Sequence, residues 1–493
     1  MMANKTPNSI EMAGDYDLNH VFLHDHMGGV TDIKKMMAEL NVFESIFKNA
    51  LTGSVVITDA QNLISKLEIN GTERVSFQLS TPGANDSRSM IDASVETGQP
   101  FYVYKITDRR QIAPGTLLYT LHFASREFIR NLRTKVSQTY RGNIAYQVIK
   151  ILMDENYLDS QKEISYEPTG NINDVVIPNM RPFDAINMIA KRALPEKSNG
   201  VGYYFYETTK GLYFRSWDNM VSVKGSQTRD TKQIFRYMPM NIDDPTIDDK
   251  IGHDYQSVES YRFVNNFHDI AANTVMGTYA HKAITYNFYD KSYTPSTYDY
   301  RYEYGRTKHT DFTGRGGLGK YAVAAESAVD TDNKRVGDYT ESRVSLLPTT
   351  QFLHGDSDTG AGYGLDVTQD GRKFIQGVSQ RAQIENGTTL HMVVKGQSYL
   401  EPGDLIEFKL ISVDEKNPDG EEDPQYSGKY VISKIRHQVN SVKYTCALEC
   451  VKDSTKAGFS TTDNKVEKNA NFPAIRNIYD SERAAGEGGD FYD

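Results

Sequence analysis

The fold is decided by residues 389–453, which read TLHMVVKGQSYLEPGDLIEFKLISVDEKNPDGEEDPQYSGKYVISKIRHQVNSVKYTCALECVKD. Apolar and polar side chains alternate along four strand-like runs of this stretch. The apolar positions are Leu390, Met392, Val394, Ile406, Phe408, Leu410, Val442, Tyr444, Cys446, Leu448 and Cys450. A period of two places one face of a strand in a core and the other in solvent. Turn residues such as Pro402-Gly403-Asp404 separate the runs, so the stretch predicts a compact antiparallel unit, a small barrel or sandwich.

A second set of strand signals fills residues 41–126. Strand-like runs lie at 53–58, 75–79, 101–106 and 117–123. The turn Pro114-Gly115 followed by an alternating strand echoes Pro402-Gly403 followed by another. Pro-Gly turns are common, but the echo raises the hypothesis that the two β units are copies of one domain.

Helical patterns separate the two β units and predict an α/β domain over residues 127–225. Ser125 and Asn143 are each placed to cap a helix, and Pro182 is placed in the first turn of a third that stops at Pro195. Two strand signals, 203–207 and 212–217, then flank Thr209-Lys210-Gly211 and predict a hairpin.

The remaining segments complete a multidomain, β-rich α+β chain. Residues 1–40 are polar and without a sustained period, which predicts an N-terminal arm. Four strands are few for an independent barrel, so we join residues 226–300, with their tyrosine-rich strand signals, to residues 380–453 as the second β unit. The glycine-rich residues 301–379 are interpreted as an insertion in that unit, and the acidic residues 454–493 as a C-terminal extension.

Composition excludes several classes of protein. The chain has 493 residues and a net charge of −10, whereas a protein that grips nucleic acid needs a basic surface. No run approaches the ~20 apolar residues of a membrane helix, and the N-terminus lacks a secretory pattern, so we expect folding in a cytoplasm without an integral membrane segment. The 32 tyrosines fit either extensive interfaces or half-buried strands.

Cys446 and Cys450 are the two cysteines of the chain. They lie on one face of one predicted strand, about 13 Å apart at ~3.3 Å per residue. They cannot form a disulfide with each other, and we expect both to be small core residues.

Two segments partly match ligand-binding loops. Gly314-Arg315-Gly316-Gly317-Leu318-Gly319-Lys320 has the glycine and lysine spacing of a phosphate loop, but Tyr321 stands where a magnesium-binding hydroxyl is needed. The second segment has calcium-loop spacing at Asp330, Asp332, Asp338 and Glu341. Lys334 and Arg335 occupy a ligand position and the glycine position there, and both oppose a cation.

The remaining candidates are also more simply explained without chemistry. In the segment His24-Asp25-His26 the two alternate histidines could ligate a metal ion. The predicted arm offers no third ligand nearby. There is no nucleophile-elbow glycine pattern, and no carboxylate pair stands out. We therefore predict no catalytic residues, no cofactor-binding residues and no metal ligands.

Three segments, in order along the chain, resemble the central hub protein of contractile phage baseplates, of the T-even and marine myovirus type. The segments are Glu39-Leu40-Asn41-Val42-Phe43-Glu44-Ser45-Ile46-Phe47 through Leu51-Thr52-Gly53-Ser54-Val55-Val56-Ile57-Thr58-Asp59 to Thr81-Pro82-Gly83, then Arg181-Pro182-Phe183-Asp184-Ala185-Ile186 with Ala190-Lys191-Arg192-Ala193-Leu194-Pro195, and finally Pro402-Gly403-Asp404-Leu405-Ile406-Glu407 with Ser427-Gly428-Lys429-Tyr430-Val431-Ile432, Arg436-His437 and Lys452-Asp453-Ser454. They cover both ends and the middle of the chain.

The resemblance implies a non-enzymatic homotrimer in which each chain supplies two antiparallel β-barrels of the tail-tube type, with the α/β domain inserted between them. Six barrels would form a pseudo-sixfold ring that adapts the hexameric tail tube or its initiator proteins to the trimeric central spike. Neighbouring baseplate proteins would be further partners, and DNA would contact the lumen only in transit. The expected location is the virion tail baseplate, assembled in the host bacterial cytoplasm.

Two other functions remain open. A hub that also hydrolyses cell wall would need a carboxylate pair around Asp356, Asp358, Asp366 and Asp370, which a solvated acidic loop also explains. A glycan-binding tail module would use the aromatic side chains between Tyr286 and Tyr304, which strand packing also explains.

Overall fold

The computed structural model describes residues 12–67, 69–82, 89–97, 99–170, 174–197, 200–222, 230–237, 250–265, 269–288, 291–311, 334–349, 367–412, 422–423 and 425–455. Strands outnumber helices in these ranges, which confirms the β-rich class. None of the helices described is long and apolar enough to cross a membrane.

The first β unit is built from eight strands and one short helix. These are β1 (Asp17–His24), β2 (Val30–Asp32), β3 (Met37–Ser45), β4 (Thr52–Asp59), α1 (Leu63–Lys66), β5 (Arg74–Ser80), β6 (Ile91–Asp92), β7 (Phe101–Ala113) and β8 (Thr116–Ala124). Its main strands pair in the order β3-β4-β8-β7-β5-β1. Alternating apolar residues of these strands, such as Val75, Phe77 and Leu79, are fully buried.

The predicted N-terminal arm differs from the structure. Residues 17–24 form β1, which pairs antiparallel with β5 and buries Leu18, Val21 and Leu23. A β-bulge between Leu18 and Val21 shifts the register by one residue. The bulge moves the apolar residues out of a strict period of two, which is why the sequence pattern does not reveal this strand.

Helices and strands alternate in the next part of the chain, from Arg126 to Val221. It consists of α2 (Arg126–Arg133), β9 (Val136–Tyr140), α3 (Ile144–Met153), β10 (Ile164–Tyr166), β11 (Val175–Met180), α4 (Pro182–Ala190), β12 (Tyr203–Thr208), β13 (Gly211–Ser216) and α5 (Trp217–Val221). The Asn143 side chain accepts a hydrogen bond from the Ala145 amide and caps α3, and Pro182 lies in the first turn of α4. The hairpin β12–β13 is also confirmed.

The rest of the described chain contains nine strands and four helices. In order these are β14 (Ile234–Arg236), α6 (Lys250–Gln256), β15 (Val258–Asn265), α7 (Ile270–Met276), β16 (Ala280–Asn287), β17 (Tyr293–Asp299), α8 (Tyr300–Glu303), β18 (Val344–Thr349), α9 (Val367–Glu385), β19 (Thr388–Lys395), β20 (Leu405–Lys409), β21 (Gly428–Asn440) and β22 (Tyr444–Lys452).

The second β unit has the same strand order as the first. Numbered along the chain, its six strands are β14, β15, β19, β20, β21 and β22, and those of the first unit are β1, β3, β4, β5, β7 and β8. In both units the second strand pairs with the third, the third with the sixth, the sixth with the fifth, the fifth with the fourth, and the fourth with the first. The fourth and first strands are antiparallel in the first unit and parallel in the second.

This shared strand order supports the hypothesis of two copies, but not the motif that suggested it. Pro114-Gly115 precedes the sixth strand of its unit, whereas Pro402-Gly403 precedes the fourth strand. The two turns are therefore not equivalent. The similarity of the two units lies in the order of strand pairing and not in a repeated turn.

Neither unit is a fully closed barrel. In the first, Ile33 donates a hydrogen bond to Val21 O at 2.9 Å and Met36 accepts one from Thr58 N at 2.8 Å, so this turn bridges the gap between β1 and β4. In the second, one isolated bridge between Arg236 and Ser257 links the end of β14 to the start of β15. These contacts link the outer strands of each unit, but no closed barrel is found among the described residues, so the predicted barrels are not confirmed.

One sheet runs through both units. Its strands follow the path β15-β19-β22-β21-β3-β4-β8-β7-β5-β1-β2, and the pairing of β21 with β3 joins the second unit to the first. A single apolar cluster extends beneath it, from Leu18 in β1 to Cys450 in β22. Because this cluster contains residues of both units, the two units share one core. Each large apolar side chain buried there stabilises the fold by ~1.5–3 kcal/mol.

The sequence predicts that the tyrosine-rich strands belong to the second β unit. In the structure they lie outside it. β16 and β17 pair with each other, and β16 pairs with β18 to form a separate three-stranded sheet. Tyr279, Tyr298, Tyr300 and Tyr304 pack there with Ile375 of α9. The insertion thus has its own small core, and only β14 and β15 from residues 226–300 join the second unit.

Candidate assembly surface

The β3–β21 junction is where the two units are held together. Seven residue pairs are in register, from Lys434 opposite Ser45 to Asn440 opposite Glu39. On the outer face, Arg436 donates hydrogen bonds to Asn41 Oδ1 and Glu39 Oε1, each at 2.9 Å. These exposed contacts fix the register more than they add stability, because solvent screens them.

A buried ionic contact lies on the inner face of the same junction. Glu44 of the first unit is 2% exposed, and its Oε1 lies 3.5 Å from Nε2 of His437, which is 1% exposed. Within the described part of the chain, neither carboxylate oxygen of Glu44 accepts a hydrogen bond. The carboxylate therefore depends on the imidazole for compensation.

His437 is held in its charged form by its surroundings. Its Nδ1 lies 2.6 Å from the Tyr444 hydroxyl and 3.5 Å from Cys446 Sγ. Burial by itself lowers the pKa of His437, but interactions with Cys446 and Glu44 outweigh burial and raise the pKa to about 9. At neutral pH the junction thus contains a buried imidazolium beside Glu44.

Alternation explains how these polar residues come to be buried. Leu40, Val42 and Glu44 share one face of β3, and His437 lies between Ile435 and Val439 on β21. A strand with one ionisable residue on an otherwise apolar face predicts a buried charge, and a buried charge requires a partner. Two such strands are therefore candidates for pairing with each other. Alternation alone does not pair the two residues, because the sequence does not show that β3 and β21 are neighbours.

Two of the strand edges that are unpaired on this sheet within the described residues belong to β7 and β15. β7 pairs with β5 only at Phe101 and Tyr102, and the rest of that edge has no registered partner. β15 pairs with β19 along one edge and ends the sheet with the other. Exposed strand edges are templates for pairing with another chain.

A buried ionic cluster attaches the α/β domain to the first unit. Lys162 Nζ contacts the Glu207 carboxylate and lies 3.4 Å from Glu127 Oε2. Glu207 Oε2 also accepts hydrogen bonds from the Leu51 amide at 2.9 Å and the Ser125 hydroxyl at 2.6 Å. Burial raises the pKa of Glu207, more than the nearby Lys162 lowers it. The paired carboxylates are enclosed, and their contacts join the α/β domain to the first unit.

A second buried cluster fixes the end of β22. The His309 ring donates from Nδ1 to Asp453 Oδ2 at 2.9 Å and faces the Tyr304 carbonyl with Nε2 at 2.8 Å. Both neighbours are acceptors, so both ring nitrogens carry protons. Burial lowers the pKa of His309, but Asp453 outweighs burial and raises it. Trp217 Nε1 and the Thr310 amide also donate to Asp453.

Gly403 allows the α/β domain to approach the second unit closely. It has a φ of +86°, and a Cβ there would lie 2.3 Å from the Arg215 guanidinium and 2.5 Å from the Tyr206 hydroxyl. Arg215 itself donates from Nε to the Tyr206 hydroxyl at 2.7 Å. The turn predicted at Pro402-Gly403-Asp404 therefore serves domain contact as well as strand reversal.

A polar cavity of about 810 Å³ lies where both units meet the α/β domain. Lys210 reaches across it to the carbonyls of Met90 and Ser398, both at 3.1 Å. Burial lowers the pKa of Lys210. Glu401 accepts a hydrogen bond from the Tyr213 hydroxyl at 3.0 Å. The side chains that surround the cavity are thus engaged in holding three parts of the chain together.

The two segments that partly match ligand-binding loops lie largely outside the described residues. Gly314 to Lys320, Asp330 and Asp332 lie outside the described residues. Asp338 accepts a hydrogen bond from the Arg335 amide at 2.8 Å, and Glu341 pairs with Lys282 at 3.0 Å. The carboxylates Asp356, Asp358 and Asp366 are also outside the described residues, and Asp370 lies on α9.

His24, Asp25 and His26, which were considered as possible metal ligands, make separate contacts. His24 lies 2.7 Å from the Ser76 hydroxyl, while Asp25 accepts hydrogen bonds from the amides of Met27 and Gly29. His26 is exposed. In the described ranges no three His, Cys, Asp or Glu residues form a group that could hold a metal ion.

The two cysteines are both free and buried, as predicted. Cys450 lies among the apolar side chains of the shared core. Cys446 does more than pack, because its sulfur accepts a hydrogen bond from the Gln397 amide at 3.4 Å and neighbours His437.

Comparison with known proteins gives structural likeness only. No family model matches the chain, and no curated protein matches it. A tail protein from Neisseria meningitidis MC58 is similar at a TM-score of 0.47 with 9% identity, over 89% of this chain and 97% of that protein.

Two further solved structures show similarity at the same level. The prophage MuSo2 43 kDa tail protein from Shewanella oneidensis has a TM-score of 0.46 and 10% identity, over 89% of this chain and 99% of its own. The E. coli c3393 protein, a component of the type VI secretion system, has a TM-score of 0.39 and 7% identity, over 91% of this chain and 80% of its own. With TM-scores below 0.5, these similarities carry no functional conclusion.

Proposed function

We propose that this chain is the structural hub of a contractile phage tail baseplate and acts without catalysis. One observation carries the proposal: two β units of identical strand order are joined edge to edge in one sheet. The ordered sequence segments that resemble baseplate hubs support the same assignment.

The junction provides a rule for further assembly. Within the chain, the second strand of the first unit, β3, pairs with the fifth strand of the second unit, β21. We apply the same rule between chains. The second strand of the second unit, β15, would then pair with the fifth strand of the first unit, β7, of a neighbouring chain. Such a contact is head-to-tail, and head-to-tail contacts form a ring when the rotation closes.

The division of the fifth strand supports this rule. β21 uses residues 428–431 for β20 and residues 434–440 for β3. β7 likewise uses its first two residues for β5, and the remainder of that edge has no registered partner in the described chain. The remainder of β7 is the place where a neighbouring β15 would pair.

The resemblance supplies the number of chains and the partners. Three chains give six units, and the ring would seat the tail tube or its initiator on one side and the central spike on the other. Neighbouring baseplate proteins would bind the periphery, and DNA would pass through the lumen. The virion baseplate, assembled in the host cytoplasm, is the corresponding location.

The oligomeric state of an edge variant tests the proposal. Val264 is half exposed on β15 at a bulge, between the registered residues Phe263 and Asn265. Val264→Pro disfavours strand pairing at this edge and should convert a trimer into monomers in light scattering. Val264→Thr keeps the N–H and should remain trimeric.

A chain that stays monomeric with and without co-expressed spike and tube proteins would overturn the hub. Zymography on host cell wall addresses the hydrolase alternative, and we expect no clearing. Clearing that persists in the purified chain would show a catalytic function that the hub proposal excludes.

A further inference from the structure

The outer face of the junction sheet carries two parallel rows of side chains, each of which crosses five strands. The charged row is formed, in register, by Arg262, His391, Glu449, Lys434 and Ser45. The second row, two residues further along each strand, is formed by Ser260, Val393, Ala447, Arg436 and Phe43. Residues two apart on a strand point to the same side, so both rows share one surface.

A groove of about 770 Å³ lies over these rows. Its lining includes four cations, Lys48, Arg262, Lys434 and Arg436, and two carboxylates, Glu44 and Glu449. With histidine taken as neutral, four positive and two negative charges leave +2, whereas the whole chain carries −10. The groove therefore differs in sign from the molecule around it and is complementary to an anionic partner.

The cations of the groove are accessible and ordered by contacts. Lys434 is 48% exposed and pairs with Glu449 at 2.9 Å, and Arg436 is 42% exposed. His391 Nε2 lies 3.3 Å from the other side of Glu449. The Glu449 carboxylate thus occupies the middle of the charged row.

The neighbouring row offers apolar surface. Phe43 is 36% exposed, and the Arg436 guanidinium lies 5.8 Å from the centre of its ring. Val393 and Ala447 are partly exposed beside it. A partner that covers both rows therefore needs acidic groups on one side and apolar groups on the other.

We propose that this groove binds an acidic amphipathic peptide segment of a partner protein. The apolar side of the segment covers the row from Phe43 to Val393, and its carboxylates face Lys434 and Arg262. A nucleic acid fits less well, because a phosphodiester chain places a negative charge at every nucleotide and Glu449 repels it at the centre of the row. This interaction does not depend on ring formation.

Peptide binding to the full chain tests the proposal. The probe is a short fluorescent helical peptide with Glu on one face and Leu on the other, and the comparison probes are its Lys counterpart and a single-stranded DNA oligonucleotide. Anisotropy should show binding of the acidic peptide only. The double variant Arg262→Glu/Lys434→Glu should weaken it by at least about tenfold.

Matched variants separate the two rows and the background. Arg141→Glu reverses a charge that is 81% exposed elsewhere and should leave binding unchanged. Phe43→Ser removes apolar surface and should also weaken the acidic peptide. Circular dichroism confirms that each variant is folded.

Three results would overturn the proposal. DNA that binds as tightly as the acidic peptide would assign the groove to nucleic acid instead. Equal binding of the acidic peptide to the parent chain and to Arg262→Glu/Lys434→Glu would place the site elsewhere. Full binding by Phe43→Ser would exclude the amphipathic match. None of these results bears on whether the chain forms a trimer.

Discussion

β21 and β7 occupy the same position in their two units but have different surroundings. Both contain 13 residues and both are the fifth strand of six. The second half of β21 pairs with β3, and its residues alternate between buried and partly buried. The second half of β7 pairs only with β8 among the described residues, and its last six residues are exposed.

This difference shows what a neighbour contributes to a strand. Where β3 is present, the strand holds a buried His437 and a registered Arg436. Where none is described, β7 carries Lys105, Arg109 and Arg110 and a bulge with Asp108 at a φ of +56°. Charges and bulges are the features that keep an unpaired edge from aggregating. The free edge is protected, and the proposed assembly would have to use it selectively.

The largest loss of stability is expected at the Lys162 cluster, which attaches the first unit to the α/β domain. Lys162→Met leaves the buried carboxylates Glu127 and Glu207 without their cation. The free energy of unfolding should fall by about 3–5 kcal/mol in urea titrations. The exposed Lys135→Met should change it by less than about 0.5 kcal/mol. Equal stability of the two variants would mean that the cluster carries no net attachment energy.

The next largest loss of stability is expected at the contact between Glu44 and His437, which has no equivalent described on β7. Glu44→Leu and His437→Leu each strand one buried charge and should each cost about 2–3 kcal/mol. The double variant Glu44→Leu/His437→Leu removes both charges and should recover most of that loss. A double-mutant cycle in denaturant measures the coupling, and strictly additive losses would show that the two groups do not interact.

The pH dependence of stability should also report on His437. Its folded pKa of about 9 lies above the ordinary value of 6.5, so its contribution is complete below about pH 6.5 and is lost as the pH rises through 9. His309, whose pKa is also raised, acts in the same direction. The thermal midpoint should fall between pH 6.5 and 9.5.

The variant His437→Gln tests whether the fall of the thermal midpoint with pH comes from the β3–β21 junction. His437→Gln should show a smaller fall over the same pH range. The raised pKa of Asp218 is about 6, so this group has largely titrated before the range begins. A variant with the same slope as the parent chain would contradict a charged His437.

The smallest effect compares exposed arginines on the two fifth strands. Arg436→Ala removes the contact to Glu39 and should cost about 0.2–1 kcal/mol. Arg110→Ala, on the unpaired half of β7, should change the stability of the monomer by less. Differential scanning fluorimetry of both variants at low and high salt measures this, and only the Arg436 effect should decrease with salt.

Much of the fold could be read from alternation and turn chemistry. Strands such as β5, β19 and β22 have apolar residues in strict alternation, and Asn143 and Pro182 mark two helix starts by their capping chemistry. β1 was hidden because a bulge breaks its period. The pairing partner of the tyrosine-rich strands was also hidden, because β18 lies more than 40 residues away in sequence. Local patterns identify strands but not the sheet to which they belong.

The candidate assembly surface was less predictable. The duplicated strand order became visible only from the pairing of distant strands, which no local motif encodes. The contact between Glu44 and His437 leaves a trace in each strand, yet it requires knowing that β3 and β21 are neighbours. The groove between Phe43 and Arg262 likewise draws on five strands, several of which are far apart along the chain.

The β3–β21 junction also determines how the molecule would respond to mechanical load. Hydrogen bonds in an antiparallel ladder run perpendicular to the strands. A force along the strands is therefore shared by all seven registered pairs at once, whereas a force across the sheet opens them one at a time. The joint between the two units is strong in shear and weak in peeling, so the direction of a pull decides whether the two units part.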